Sequence, residues 1–277
     1  MNSPESGPVD EITTGTDKLL LDFPAEAVAR LTISDPDKRN ALDHDVLDAI
    51  SSTLPELDRG IEVRCLIITG ADPVFSAGYD IGSIPDENFQ KDAEALVAHP
   101  FPAAMEAIDA FPWPTVAALN GHCLGGGLEL AITCDLRICS SDAKLGMPAA
   151  KLGLIYGHTG LIRFIETIGA ARTREMFFTG GNVGAARAEQ INLVNRVVPG
   201  DDLQPESVEL AARIAANAPL SMKGNKRAIA TILANPVLSP EQEAELVELR
   251  ESCFSSDDLL EGITAFGEKR KPRWSGR

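Results

Sequence analysis

The chain has 277 residues, 44% of them hydrophobic and 24% charged, with a formal net charge of −16. That balance describes a globular protein with enough apolar residues for a substantial core, and its acidity argues against nucleic acid or an anionic membrane as partner. No run approaches the roughly 18 consecutive apolar residues of a membrane-spanning helix.

Residues 1–17 lack a basic segment followed by an apolar one, so they read as a flexible leader and not a secretory signal. The five cysteines are odd in number and scattered without a C-x-x-C pair, and the four histidines are isolated. Reduced thiols in a cytoplasmic protein are expected, with no metal.

In chain order, Leu19–Phe23 and Ala27–Ile33 read as strands joined by a turn at Pro24-Ala25-Glu26. A polar loop from Asp35 to Asn40 precedes helical spacing from Leu42 to Leu57. In that loop Lys38 and Arg39 belong either to a solvated connection or to a contact with an anionic ligand. Val63–Gly70 is a third strand, of the continuous apolar type that is buried on both faces. It runs into a turn-rich loop, Ala71–Asp80, where Gly78 precedes Tyr79 and Asp80 is placed to cap a following helical turn. Residues 83–110 read as loop and helix, with Ile84, Phe89 and Phe101 among the apolar members.

Residues 115–139, TVAALNGHCLGGGLELAITCDLRIC, are the most informative stretch. A buried strand ends at Asn120-Gly121, three glycines follow at 125–127, and LELAIT continues as helix before a short strand at Asp135–Cys139. The first N–H groups of a helix have no intrahelical partner and sit at the positive end of its dipole. Glycines let a ligand approach that backbone closely. Neither phosphate-loop pattern is present. Two uses remain: close helix–strand packing with Glu129 as a favourable first-turn carboxylate, or an oxyanion hole with an acid beside it.

Beyond Cys139, Ser141–Gly146 reads as a turn and short strand, and Pro148 opens a loop through Gly153. Tyr156 and His158 stand in Y-G-H-T-G before a helix with apolar positions Leu161, Ile162, Phe164, Ile165 and Ile168. His158 reads as a polar loop residue ahead of a catalyst, and Tyr156 fits either packing or a site. A second helix is predicted over Ala171–Phe178 and a strand over Val194–Val198. Helices follow at 204–217, 221–233, 240–254 and 257–270, then a basic tail expected to be solvated. Strands alternating with helices, ahead of an all-helical end, imply an α/β core over 18–200 with a helical segment over 201–277. No internal repeat is evident.

FSAGYDI at 75–81, NGHCLGGGLELAITCDLRI at 120–138, LGMP at 145–148 and AFGEKRKPRW at 265–274 together resemble the crotonase (enoyl-CoA hydratase/isomerase) superfamily over about residues 18–275. The resemblance implies a spiral of β-β-α units with a C-terminal helical trimerisation region, assembled as a homotrimer or a dimer of trimers. It also implies an acyl-CoA substrate with no further cofactor and no metal. By the resemblance, the backbone N–H groups of Tyr79 and Gly126 form the oxyanion hole. Lys38, Arg39, Ala41, Ala77, Asp80 and Ile81 match positions that bind CoA, as do Phe266 and Lys269 near the C-terminus. Glu129 matches the first of two glutamates that hold water in the hydratases.

The second glutamate would stand at Ala149, which cannot transfer a proton. SAGYDI and PAAKLGLIYGHTG instead look like the methylmalonyl-CoA decarboxylase branch, where Glu129 and Tyr156 would flank the substrate. Decarboxylation of a 2-carboxyacyl-CoA is therefore the expected reaction. The alternatives are a hydratase or double-bond isomerase using Glu129, with Tyr156 or His158 in place of the missing acid, and a CoA-thioester-binding protein with little activity.

Overall fold

The computed structural model describes residues 12–60, 62–80, 99–235, 237, 239–254 and 256–277. Strands β1 (Leu19–Ala25) and β2 (Val28–Ile33) pair antiparallel. β1 runs two residues beyond its predicted end, and the reversal falls at Glu26-Ala27, where Ala27 takes a left-handed φ of 56°. Residues 12–17, in the stretch expected to be a leader, turn back onto this hairpin. There the Thr14 hydroxyl donates to the carbonyl of Leu19.

Helix α1 (His44–Gly60) begins after Asp43, whose carboxylate accepts from Val46 N–H (3.0 Å), an N-cap bond. Its buried residues Leu47, Ile50, Leu54 and Leu57 recur at the helical period and face the core. There follow β3 (Cys65–Gly70), β4 (Val74–Ser76), α2 (Pro100–Ala110), β5 (Thr115–Leu119), β6 (His122–Leu124) and α3 (Gly126–Thr133). Then come β7 (Leu136–Ser140), β8 (Lys144–Gly146), α4 (His158–Thr179), β9 (Asn182–Gly184), α5 (Ala185–Gln190) and β10 (Arg196–Val198). The two helices predicted on either side of residue 169 are both present, running on as α4 with a non-helical break at Gly169 (φ 75°) between them. Sequence periodicity did not reveal β6, β9 or α5, which are too short to display one.

Two sheets result, with strand orders β1-β2-β3-β5-β7-β10 and β4-β6-β8-β9. Successive units give one strand to each: β3 then β4, β5 then β6 followed by α3, β7 then β8 followed by α4. This is the expected spiral of β-β-α units, and its repetition lies in the backbone path alone. From β2 to β10 the first sheet is parallel, so its strands are covered on both faces. Alternate residues serve different neighbourhoods. Leu66, Ile68, Ala117 and Leu119 join the larger core with α1 to α4. Cys65, Ile67, Val116 and Ala118 face Leu203, Ala211 and Ala215 of α6 (Leu203–Ala215).

Helices α7 (Pro219–Ala234), α8 (Pro240–Phe254) and α9 (Asp257–Glu268) complete the chain close to their predicted ranges. Lys226 ties α7 to the sheet, donating to Asp135 (2.7 Å) and to the carbonyl of Trp113 (3.0 Å). The basic tail, expected to be solvated, is docked. Trp274 Nε1–H donates to the carbonyl of Ala216 (2.7 Å), and the buried Asp258 carboxylate accepts from the backbone of Ser275 and Gly276. Among the described residues no helix is long and apolar enough to cross a membrane.

Candidate active site

β6 delivers the chain to the turn at Gly125-Gly126-Gly127. Gly125 N–H donates to the carbonyl of Gly146 at the end of β8 (3.0 Å), which fixes the turn between two units of the spiral. α3 opens at Gly126 and is buried along its whole length. Among the described residues, neither Gly126 N–H nor Tyr79 N–H donates to a backbone carbonyl. The two lie close together. A Cβ on Gly78 (φ 93°) would stand 2.8 Å from the carbonyl oxygen of Leu124 and 3.2 Å from the nitrogen of Gly126. Only glycine allows that approach in that conformation. Two N–H groups with no backbone acceptor among the described residues, one of them at the positive end of a buried helix, suit an oxygen that gains charge during reaction.

Glu129 stands one turn into α3 and is 3% exposed. Burial pushes its carboxyl above the ordinary range; the Tyr156 hydroxyl and the Arg163 charge pull the other way, and the Asp109 carboxylate adds to the rise. Arg163, on α4, donates from Nη1 to Glu129 Oε1 at 3.4 Å and from its other terminal nitrogen to Asp109 on α2. α4 can come this near because Gly160 has no side chain. A Cβ there would lie 2.6 Å from Tyr156 Cε1 and 2.7 Å from Glu129 Oε2.

Tyr156 Oη is buried and faces both Glu129 and Tyr79, yet meets full hydrogen-bond geometry with neither. Burial first, and then the neighbouring acidic groups, raises both tyrosines above their ordinary value. They stay protonated and available as donors. The Tyr79 ring lies against Gly126 and meets Phe101 edge-on at 4.8 Å. Tyr156 is held edge-on to Phe177 at 5.4 Å.

The loop after β2 is zipped to the loop after β4. Ala77 N–H donates to the carbonyl of Arg39, Leu42 N–H to that of Gly78, and Asp80 N–H to that of Leu42. Arg39 and Asn40 are both left-handed (φ 57° and 54°). The conformation is held by the fully buried Asn40 side chain, which accepts from Asp35 N–H and donates to the carbonyls of Ala71 and Val74. Lys38, Arg39, Ala41, Ala77 and Asp80 are thus gathered beside Tyr79, with Lys38 and Asp80 paired at 2.8 Å. Ile81, Ile84 and Phe89 lie outside the described residues. Phe266 and Lys269 sit exposed at the end of α9, and no hydrogen bond or ion pair among the described residues joins them to this loop.

The enoyl-CoA hydratase/isomerase family model matches residues 24–277. The chain belongs to that family. It is 36% identical over 254 residues to a probable enoyl-CoA hydratase of Mycobacterium bovis, covering 91% of this chain and 96% of the relative. To a crotonyl-CoA hydratase of Syntrophomonas wolfei it is 36% identical over 252 residues, 89% of this chain and 94% of the other. The crystal structure of an enoyl-CoA hydratase from Bacillus anthracis superposes with a TM-score of 0.86 at 29% identity, covering 94% of this chain and all of that one.

These relatives are named as hydratases, and the decarboxylase branch suggested by SAGYDI and PAAKLGLIYGHTG gives way to them as the likeness to adopt. The reason is one of extent: that branch rested on Tyr156 and Ala149, whereas the hydratase likeness spans nearly the whole chain. Within the family frame, Ala149 is buried in a single turn of 3-10 helix, Ala149–Leu152, three residues beyond the Gly146 carbonyl that holds Gly125. His158 is exposed at the first position of α4, and no hydrogen bond among the described residues links it to Glu129 or Tyr156. Sequence reasoning missed Arg163, Asp109 and the side chain of Tyr79.

Proposed function

We propose that this enzyme moves a proton on an enoyl-CoA thioester through a single carboxylate, Glu129, hydrating the double bond or shifting its position. The thioester carbonyl oxygen is held by the N–H groups of Tyr79 and Gly126. In the double-bond shift, Glu129 takes a proton from the carbon next to the carbonyl and the electron pair moves onto the held oxygen as an enolate. The same carboxyl then returns the proton two carbons further along. In hydration, Glu129 takes a proton from water as the hydroxyl adds to the far alkene carbon, and passes that proton to the carbon nearest the carbonyl. Either route needs one group that both accepts and gives a proton. The observation that supports it is the position of Glu129, buried near the start of the helix that Gly126 opens, where the N–H groups of Gly126 and Tyr79 have no backbone acceptor among the described residues, with its proton affinity raised above that of an ordinary carboxylate.

A second reading, decarboxylation of a 2-carboxyacyl-CoA, draws on the buried Tyr156 hydroxyl, which faces Glu129 and Tyr79 but meets full hydrogen-bond geometry with no group among the described residues. Loss of CO₂ would itself generate the enolate, and a protonated phenol could face the departing carboxylate.

Crotonyl-CoA, a 3-enoyl-CoA and methylmalonyl-CoA, assayed side by side by product mass and double-bond absorbance, separate the readings. Gain of water by the first or conjugation of the second, falling at least about 10²-fold in Glu129→Gln, is the expected result. Loss of CO₂ from the third alone would replace it with the second reading. We also propose that α8 and α9 pack on further copies of the chain in a trimer or pair of trimers, with Phe266 and Lys269 reaching CoA bound by a neighbour. The exposed Leu260, Ile263 and Phe266 on α9 support this.

A further inference from the structure

Arg163 joins two carboxylates from two other helices. It reaches Glu129 on α3 from one terminal nitrogen and Asp109 on α2 from the other. Its side chain is 19% exposed, Glu129 is almost fully enclosed, and Asp109 is half exposed. A guanidinium is planar and permanently charged, so it can bind two partners in fixed directions. Here it engages Glu129 through Oε1. Oε2 is left on the side of Gly160 and the Tyr156 ring.

We propose that Arg163 is a positioning residue for the proton transfer, holding Glu129 by Oε1 so that Oε2 is presented to the acyl group, and that Asp109 sets how strongly it holds. Resting as it does on the function proposed for Glu129, this adds a division of work among three helices. Among the described residues, the charged and titratable groups around the Glu129 carboxyl are Arg163 from α4, Asp109 from α2, Tyr156 from the loop before α4, and Tyr79 from the loop after β4, and of these only Arg163 brings positive charge. Asp109 competes for that charge and adds a negative one behind it.

Arg163 and Asp109 substitutions therefore move Glu129 in opposite directions. Arg163→Met removes the cation, and the Glu129 carboxyl should titrate higher by about one pH unit or more, since an opposite charge at this range moves a carboxyl by roughly 1–3 pH units. Asp109→Asn releases Arg163 toward Glu129 and removes an acid, so the carboxyl should titrate lower. Arg163→Lys keeps the charge, so the Glu129 titration should stay near that of the unaltered enzyme. Titration is followed by the ¹³C carboxyl resonance of glutamate-labelled protein, with Glu129 assigned by its loss in Glu129→Gln. The acidic limb of kcat against pH is followed in parallel. For Arg163→Met, kcat should fall about ten- to a hundredfold, the scale of a misplaced reacting group, while KM changes little.

Titrations that stay put, or that move in the same direction in Arg163→Met and Asp109→Asn, overturn the proposal. So does an Arg163→Lys change as large as that of Arg163→Met. Should Arg163→Met fail to fold, the half-exposed Asp109→Asn and its downward movement decide the matter alone. Absence of turnover on any enoyl-CoA in the unaltered enzyme would sink the proposed function while the carboxyl titration still tested Arg163.

Discussion

Replacing Gly160 with alanine adds one methyl group against the side chains of Tyr156 and Glu129. The new Cβ would stand 2.6 Å from Tyr156 Cε1 and 2.7 Å from Glu129 Oε2. Carbon atoms in contact rest about 3.5–4.0 Å apart, so the tyrosine ring must retreat by about 1 Å, and Glu129 must turn with it. Gly160 lies within α4, where alanine would otherwise favour the helix by up to about 1 kcal/mol. Overpacking of a tight interior costs roughly 1–3 kcal/mol, so the net change should be a loss of about 0–3 kcal/mol. The effect on rate should be larger, about a hundredfold in kcat, because a reacting group has moved by about 1 Å. Urea unfolding and turnover of the preferred enoyl-CoA measure the two quantities. A Gly160→Ala protein more stable by about 1 kcal/mol, with kcat unchanged, would refute the packing of α4 against Glu129.

Two further expectations concern stability. The folded protein raises the Glu129 carboxyl above its ordinary 4.5, so the folded state holds that proton more tightly than the unfolded chain does. The resulting stabilisation is complete below the unfolded value and is lost as pH rises through the folded one. Glu129→Gln should accordingly be the more stable protein at pH 8, by about 1.4 kcal/mol for each pH unit that separates the folded from the unfolded titration. The margin should close below about pH 4.5; equal urea midpoints at pH 8 would contradict this. Asn40→Ala removes three hydrogen bonds made by a buried side chain and leaves a left-handed backbone to a residue less suited to it. A loss of about 3 kcal/mol is expected in urea unfolding, together with a higher KM for the thioester.

Much of this architecture was legible because it is local. Continuous apolar runs marked β3 and β5, and the Gly125–Gly127 turn with the carboxylate two residues beyond marked the start of α3. What escaped was set by distance along the chain. Arg163 is 34 residues from Glu129 and 54 from Asp109, and no periodicity of α4 tells which helices it will meet. The ring of Tyr79 laid on Gly126 was not legible, because that contact exists only after two units of the spiral have closed on each other. The docking of Trp274 onto Ala216 is a meeting of the same kind, 58 residues apart. Tyr156 and Ala149 carried the decarboxylase reading, and two positions weighed too heavily against the hydratase likeness of the rest.

The alternation of side chains along β3 and β5 has a bearing on how such a protein can change. Leu66 and Ile68 press on the half of the molecule that carries Glu129, while Ile67, between them, answers only to the neighbourhood of α6. Neighbouring codons thus report to different constituencies. Under α6, volume can be exchanged among Ile67, Val116, Ala118 and Ala211 without displacing the acyl chemistry, provided the packing is conserved. Compensation for a destabilising change near α3 can therefore accumulate on the far side of the same strands. One sheet supplies both a conservative face and a permissive one.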